Sequence, residues 1–169
     1  WSGSAPVAEG EWASGGVWCV SAAIIEQRGL VRAVQRIKDR VERAVAGGQL
    51  GVWDWDMATA AVEFTDQWAQ MLGHSIDEIE PHLDAWERRV HPDDVEAVED
   101  ALSAHVAGET KYYEAEHRMR TAAGGWKWIR DVGKIVERDE AGEPVRAVGI
   151  HLDVDDQKRR EEELIRTRR

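Results

Sequence analysis

Residues 114–155 decide the fold, because together with the two tyrosines before them they contain three extended segments. These segments are YYEAEHRMR at 112–120, WKWIRDVGKIV at 126–136 and PVRAVGIHLDV at 144–154. The two connectors between them are short and carry the glycine and carboxylate residues that favour tight turns. A parallel pair needs a crossover of about a dozen residues or more, so these segments are expected to be antiparallel neighbours. The sequence therefore predicts a three-stranded meander with one face that the rest of the chain must cover.

The chain before the meander predicts two more strands and several short helices. Residues 50–56 predict a strand with tryptophans at alternate positions, and residues 61–64 predict a second strand that returns beside it. Helices are predicted at 67–72, 83–90 and 92–106. Either Thr65 or Asp66 is expected to cap the first of them. The motif HPDD at 91–94 combines a first-turn proline with carboxylates at the positive end of a helix, so we interpret it as a cap rather than a binding site.

These elements carry motifs whose order and spacing resemble those of a PAS (Per-Arnt-Sim) domain. The motifs are GVWDWD at 51–56, FT at 64–65, MLG at 71–73, HPDD at 91–94, EHRMR at 116–120 and VGIHLDVD at 148–155. The resemblance covers residues 50–155 and implies an α+β fold, in which short helices lie on one face of a five-stranded antiparallel sheet. It also implies a sensor or dimerisation module. The family usually leaves its last strand through an Asp-hydrophobic-Thr signature, whereas here Asp155 stands in the place of the Thr after Asp153.

The segments that flank this domain predict helices. The predicted parts are an irregular segment at 1–20, an amphipathic, coiled-coil-like helix at 21–48, the PAS domain at 49–155 and the start of a signalling helix at 156–169. The N-terminal helix has apolar residues that alternate by four and three, as in a heptad seam. This dimer seam consists of Leu30, Val34, Ile37, Val41 and Ala44. The helix could pack on its own sheet or pair with a second copy, and we predict a homodimer.

Composition excludes several classes of partner and location. The chain of 169 residues has a net charge of −11. Within residues 50–155 there are 24 acidic and 10 basic side chains, which argues against nucleic-acid binding because that needs a basic footprint. No apolar run approaches the roughly 18 residues of a membrane span. The single cysteine, Cys19, gives no disulfide framework or cysteine metal site. A cytoplasmic location without a signal peptide is expected.

The candidate ligand cavity follows from the faces of the predicted strands. His117 shares a strand face with Tyr113, Ala115 and Met119, and it is either a hydrogen-bonded core histidine or a residue of the cavity in which PAS-like domains hold ligands. Gly149 lies inside a strand, where glycine usually marks a bulge or a close approach, and we expect a backbone or a ligand to pass close to it. The full set of cavity candidates is Trp53, Trp55, Met71, Tyr113, His117, Met119, Trp128 and Gly149.

Cofactor chemistry is weakly indicated by the sequence. Haem could be held through His105, late in the long helix, or through His117. A flavin photoreceptor of the LOV kind needs a reactive cysteine, and residues 50–155 contain none, so that class is rejected. We find no nucleophile motif, phosphate loop or paired-histidine metal spacing. The sequence thus predicts no catalytic residue, no metal site and either no cofactor or an unknown small molecule.

The function that these observations favour is a cytosolic PAS sensor of a bacterial signalling protein. It is expected to pass a conformational signal, through Asp153 and Asp155, to an effector domain beyond residue 169. The resemblance implies a sensor histidine kinase or a cyclic-di-GMP enzyme as the parent protein. The alternative is a ligand-free interaction module whose cavity is filled by tryptophan and methionine side chains. A haem or flavin sensor is the third class.

Overall fold

The computed structural model describes residues 14–47 and 50–168. Five strands form one antiparallel sheet, as predicted from the sequence. They are β1 (Gly51–Asp56), β2 (Val62–Phe64), β3 (Tyr113–Arg120), β4 (Trp126–Arg138) and β5 (Pro144–Asp153). Their order across the sheet is β2-β1-β5-β4-β3, so the predicted meander β3-β4-β5 continues into β1 and then β2. The α+β fold class is confirmed.

The helices lie before, between and after the strands. They are α1 (Ser14–Gly47), α2 (Asp66–Met71), α3 (Asp84–Glu87), α4 (Val95–Val106) and α5 (Asp155–Thr167). Two 3₁₀ turns, at Ile76–Glu78 and Pro92–Asp94, stand between them. None of the helices within residues 14–47 and 50–168 has both the length and the apolar composition needed to cross a membrane.

The chain divides into two units, one ending at Ala44 and the other beginning at Val45. In the first unit, α1 begins at Ser14, so residues 14–20 are helical and the predicted start at 21 is too late. No proline interrupts the chain there, and the two glycines at positions 15 and 16 lie in the first turn, where their low helix propensity does not end the helix. Residues 1–13, predicted to be irregular, lie outside the described residues.

The predicted seam lies along α1. The side chains of Leu30, Val34, Ile37 and Val41 are between 56% and 66% exposed. The side chain of Ala44, the fifth seam residue, lies outside the described residues. The helix thus carries a row of large apolar side chains that are open to solvent.

The second unit buries the inner face of its sheet under α2, α3 and α4. The core includes Trp68 and Leu72 next to β1, Ala85 of α3 and Val98 of α4. Because side chains alternate along a strand, inward and outward residues of β4 follow each other strictly between 128 and 135. Ile129, Asp131, Gly133 and Ile135 are buried, and the residues between them are more exposed.

Trp53 of β1 reaches across β5 to β4, and two glycines make room for it. Gly149 and Gly133 pair directly across β5 and β4. A Cβ atom placed on either glycine would collide with the Trp53 indole ring. The sequence predicted that a backbone or a ligand passes close to Gly149, and the structure instead places the indole side chain of Trp53 there.

Two capping predictions have different outcomes. His91 caps the turn at Pro92–Asp94 as expected, since its Nδ1 accepts a hydrogen bond from the Asp93 backbone N–H at 3.1 Å. Thr65 precedes α2, but neither it nor Asp66 gives that helix a side-chain cap. The Thr65 hydroxyl oxygen instead accepts a hydrogen bond from the Val52 backbone N–H at 3.0 Å. β2 ends at Phe64, so this N–H group of β1 has no strand partner there and needs another acceptor.

Candidate functional site

Three polar side chains meet in the interior of the second unit. They are His117 on β3, Asp131 on β4 and His151 on β5, and their exposed fractions are 0%, 2% and 1%. Strand register brings them together, because Asp131 pairs with His151 across β4 and β5, and His117 pairs with Ile129, two residues before Asp131. The arrangement is a buried His-Asp-His cluster.

The Asp131 carboxylate is the centre of this cluster. Its Oδ2 lies 3.2 Å from His117 Nε2 and 3.1 Å from His151 Nε2. The Tyr113 hydroxyl donates to the same oxygen at 3.4 Å. The other oxygen, Oδ1, accepts the Trp53 indole N–H at 2.9 Å. Trp53 and Tyr113 therefore fix the orientation of the carboxylate that the two histidines approach.

Electrostatics keep this carboxylate ionised. Burial by itself raises the pKa of Asp131, but the charge of His151 and the hydrogen bond from His117 outweigh it, so the pKa lies well below its usual range. Burial and the neighbouring Asp131 carboxylate raise the pKa of Tyr113, which stays a neutral donor. A buried carboxylate needs a positive partner, and a proton on the histidines or a cation can supply one.

Several buried polar atoms around the cluster have no hydrogen-bond partner among the described residues. His117 Nδ1 and His151 Nε2 are two of them, since His151 Nε2 is close to Asp131 but lacks hydrogen-bond geometry. The other three are the indole nitrogens of Trp55, Trp68 and Trp86. An unpaired buried donor costs about 1–3 kcal/mol, so the interior is short of hydrogen-bond acceptors.

A cavity of about 40 Å³ lies beside the cluster. Its walls include Asp131, His151 and Tyr113 together with the rings of four tryptophans, Trp53, Trp55, Trp68 and Trp86. A buried water needs about 10–15 Å³ on this measure, so the cavity has room for a few waters or a very small ligand.

Haem does not fit this interior. The cavity of about 40 Å³ is too small for a porphyrin. His105 also has both ring nitrogens engaged: Nδ1 donates to the Thr110 carbonyl at 3.0 Å, and Nε2 accepts the Ile135 backbone N–H at 3.0 Å. His105 thus joins α4 to β4 and has no free ring nitrogen for an iron ion in this structure, so haem binding through it stays a prediction without structural support. His117 Nε2 faces the Asp131 carboxylate rather than an open space.

The structure places the predicted cavity residues in different surroundings. Trp53, Trp55 and Tyr113 line the cavity. His117 and Met119 are buried in the core, Met71 packs against it, and Gly149 lies under Trp53. Whether any of these residues contacts a ligand remains a prediction.

The prediction for Trp128 is wrong. Asp131 and Ile129 of β4 face inward, so Trp128 faces outward by the alternation of the strand. There its ring lies 5.1 Å from the Arg118 guanidinium and 5.3 Å from the Lys158 ammonium. Trp126, on the same outer face, is 37% exposed.

Sequence reasoning missed Asp131 and His151. The sequence feature that could have revealed them is their position, because both occupy inward positions of predicted strands, where a charged or titratable residue is unusual. Pairing the predicted strands would have placed them opposite each other. The sequence also predicted no metal site, because no two histidines have a local metal-ligand spacing, whereas His117, Asp131 and His151 come together from three separate strands.

Asp153 and Asp155 connect β5 to α5. Asp153 Oδ1 accepts the Asp155 backbone N–H at 3.0 Å, and its Oδ2 pairs with Lys127 of β4 at 3.0 Å. Asp155 Oδ1 accepts the Trp128 backbone N–H at 3.2 Å, and its Oδ2 pairs with Arg159 at 3.0 Å. A carboxylate at position 155 therefore ties the start of α5 to β4.

A second contact holds the next turn of α5 on the outer face of the sheet. Lys158 pairs with Glu116 of β3, and Glu116 also pairs with Arg130 of β4 at 2.7 Å. The hydrogen bond from Lys158, with the one from Arg130, lowers the pKa of Glu116 against the opposing effect of burial. The first two turns of α5 are thus attached to the strands that carry His117 and Asp131 on their opposite face.

An α+β module with a buried polar cluster beneath a sheet, and a helix attached to that sheet at its exit, is the class that the fold and the site define. A sequence model of the PAS fold matches residues 61–151. The chain belongs to the PAS fold family.

Relatives and solved structures agree with this assignment. The chain is 33% identical, over 124 residues, to sensor protein FixL of Bradyrhizobium diazoefficiens, covering 73% of this chain and 24% of that protein. A sensory box histidine kinase/response regulator structure from Burkholderia thailandensis is 35% identical, with a TM-score of 0.68, covering 76% of this chain and 95% of that one.

A third similar protein has a different effector in its description. The N-terminal domain of a diguanylate cyclase with PAS/PAC sensor from Marinobacter aquaeolei is 28% identical, with a TM-score of 0.56, covering 64% of this chain and 98% of that one. The chain spans about a quarter of the length of FixL.

Proposed function

We propose that this PAS domain is a cytosolic sensor module that passes a conformational signal through α5 to an effector domain after residue 169. The effector is a histidine kinase or a cyclic-di-GMP enzyme, as the descriptions of the similar proteins suggest. The domain itself has no catalytic role in this proposal.

The observation that carries the proposal is the position of α5 relative to the buried cluster. Asp131 faces the cavity from β4, and three residues earlier the backbone N–H of Trp128 is bound by the Asp155 carboxylate of α5. A small shift of β4 at the cluster therefore changes the hydrogen bond that fixes the start of α5. A ligand that favours one position of β4 would shift the population of α5 positions.

The chemistry of the cavity favours a small ligand with hydrogen-bond acceptors. Trp55, Trp68 and Trp86 contribute to the cavity wall, and each has a buried indole N–H group without a hydrogen-bond partner among the described residues. An acceptor placed among them would offset a cost of about 1–3 kcal/mol for each group it satisfies.

We also propose that the parent protein is a homodimer that pairs through α1. The apolar seam at Leu30, Val34, Ile37 and Val41 supports this, because such a row is stable in water only when it is covered. Two-fold pairing would place the two copies of the domain, and their effectors, side by side.

A ligand-free interaction module is the second candidate. The specific observation in its favour is the small size of the cavity, about 40 Å³, between walls that include several aromatic side chains. Native mass spectrometry of the purified chain separates the two candidates, since a retained small molecule supports the sensor and a bare chain from a ligand-rich lysate supports the interaction module.

The signalling proposal is tested in the full-length protein with Asp153→Ala. Its matched control is Asp156→Ala, which removes a carboxylate from the first turn of α5 that is exposed. We expect effector output, measured as phosphate incorporation or as turnover of the cyclic dinucleotide, to change in Asp153→Ala and to stay unchanged in Asp156→Ala. Equal output from the two variants at equal stability would contradict signalling through this junction.

A further inference from the structure

We propose that His117, Asp131 and His151 bind one divalent first-row transition metal ion. This site is independent of the effector, because metal uptake can be measured on the isolated chain. A failure of either proposal therefore leaves the other standing.

The spacing of the three groups suits a metal ion. Zinc–nitrogen and zinc–oxygen bonds are about 2.0–2.2 Å, so neighbouring ligand atoms around a tetrahedral ion lie about 3.3 Å apart. Asp131 Oδ2 lies 3.2 Å from His117 Nε2 and 3.1 Å from His151 Nε2. One ligand atom from each of the three residues can be chosen so that all lie within 4.8 Å of one another. The two separations that involve Asp131 thus already match those around a bound ion.

The ligand types select the class of metal. Two imidazoles and one carboxylate form the set that binds non-haem iron and related divalent ions while leaving positions open. Calcium and magnesium prefer oxygen ligands, so they do not suit a site with two nitrogen ligands. The cavity beside Asp131 and His151 has room for waters at the open positions.

Two neighbours fix the orientation of the Asp131 carboxylate, as hydrogen bonds to a metal-binding carboxylate do at known metal sites. The Trp53 N–H binds Oδ1 at 2.9 Å, which directs the other oxygen toward the histidines. The Tyr113 hydroxyl contributes a longer hydrogen bond of 3.4 Å. Partners of this kind raise metal affinity by fixing the ligand in place.

A hydrogen-bond network without metal accounts less well for the same contacts. It would place two hydrogen bonds, from His117 and Tyr113, on a single oxygen, with His151 Nε2 only 3.1 Å from the same oxygen. It also leaves His151 Nε2 without a properly directed hydrogen bond. A metal ion would engage both Nε2 lone pairs, and it would neutralise the buried Asp131 charge without protons on the histidines.

The test is a titration of the metal-stripped chain with Co²⁺, followed by its visible d–d absorption bands. We expect saturation at one equivalent. His117→Gln and His151→Gln should abolish the bands, and Trp53→Phe should lower the affinity about 10–100-fold, as loss of a second-shell partner does. His74→Gln and His91→Gln are matched controls, because each removes a histidine that lies near a carboxylate outside the cluster. Failure of the parent chain to bind Co²⁺, or an equal loss in the control variants, would overturn the proposal.

A second measurement covers the case in which the buried variants do not fold. X-ray absorption of the Zn²⁺-loaded parent chain reports the ligand atoms directly. Two imidazole nitrogens with oxygen in the first shell would support the site. A sulfur ligand, which only Cys19 or a methionine could supply, or a shell without two imidazoles would overturn it.

Discussion

Asp94 shows how one side chain can join two distant parts of the fold. Its carboxylate accepts the Arg118 backbone N–H at 2.8 Å and two guanidinium hydrogen bonds at 2.8 and 3.0 Å. Burial raises the pKa of Asp94, but the hydrogen bonds and charge of Arg118 outweigh it and hold the pKa below its usual value. The HPDD motif therefore anchors the start of α4 to β3 as well as capping a turn.

This anchor predicts a pH-dependent loss of stability in Asp94→Asn. Hydrogen bonds to a charged group contribute about 1.5–3 kcal/mol, so we expect a loss of that size in the free energy of unfolding at neutral pH. A carboxyl whose pKa is lowered by folding stabilises the fold above its unfolded pKa of about 3.9 and stops doing so as the pH falls through its folded pKa. The difference from the parent should therefore shrink below about pH 4. Urea unfolding at several pH values measures it.

The control for this prediction is Asp93→Asn, which changes a neighbouring carboxyl whose side chain is 79% exposed. A surface change of that kind usually alters stability by less than about 0.5 kcal/mol. A constant difference for Asp94→Asn from pH 7 to pH 3 would show that the Arg118 pair does not supply the stability assigned to it.

Gly149 gives a prediction about packing. In Gly149→Ala, the added methyl group would collide with the Trp53 indole and with the Val132 carbonyl. Overpacking of a core typically costs about 1–3 kcal/mol, and we expect at least that loss in thermal unfolding. Gly125→Ala is the control, since the nearest atom to its Cβ would be Thr121 Oγ1 at an ordinary 3.7 Å. Equal melting temperatures for the two variants would contradict the account of how Trp53 is placed.

At the scale of elements, the junction between β5 and α5 makes a prediction of its own. Asp155→Asn weakens the acceptor for the Trp128 N–H and removes the charge that pairs with Arg159. We expect faster hydrogen exchange at the Trp128 amide and in the first turn of α5. Asp156→Asn removes the same charge from the same helical turn without that contact, so exchange at Trp128 should stay unchanged. Similar exchange rates in both variants would contradict a specific contact between Asp155 and Trp128, because the loss of charge near the helix N-terminus would then explain both results.

The elements themselves follow well from the sequence, because strand alternation and turn residues are local signals. All five strands and the helices between them were predicted, with ends within a few residues of those observed. The faces of the strands were predicted less well. Hydrophobicity favours Trp128 inside and Asp131 outside, yet β4 has the reverse, since its register is set by its pairing with β3 and β5.

The buried cluster was missed for the same physical reason. A carboxylate in a core is stable only with partners, and those partners come from β1, β3 and β5. No stretch of consecutive residues contains all of these partners, so a local sequence pattern does not reveal the cluster. The candidate site therefore required the sheet register, whereas the hydrogen bond that Asp153 accepts from a backbone N–H group at the start of α5 could be predicted from the motif at one strand end.

At the scale of the whole molecule, the seam of α1 predicts the assembly. Val34→Asp with Val41→Asp places two charges in the seam, and we expect it to convert a dimer into monomers in multi-angle light scattering. Gln35→Asp with Arg43→Gln changes the net charge by the same amount at exposed positions off the seam, and it should leave the dimer intact. A monomeric parent chain, or dissociation by both pairs of substitutions, would contradict pairing through this seam.

The central claim is that the buried cluster controls how firmly α5 is held. The most direct measurement is hydrogen exchange of α5 in Asp131→Asn, compared with Ile79→Val, a core change outside the sheet and the cluster. Tyr113→Phe, which removes one hydrogen bond to the same carboxylate, provides a milder change in the same direction. The account predicts faster exchange at residues 155–160 in Asp131→Asn, a smaller increase in Tyr113→Phe and none in Ile79→Val at matched stability. Exchange in α5 that depends only on global stability, and is the same in all three variants, would contradict it.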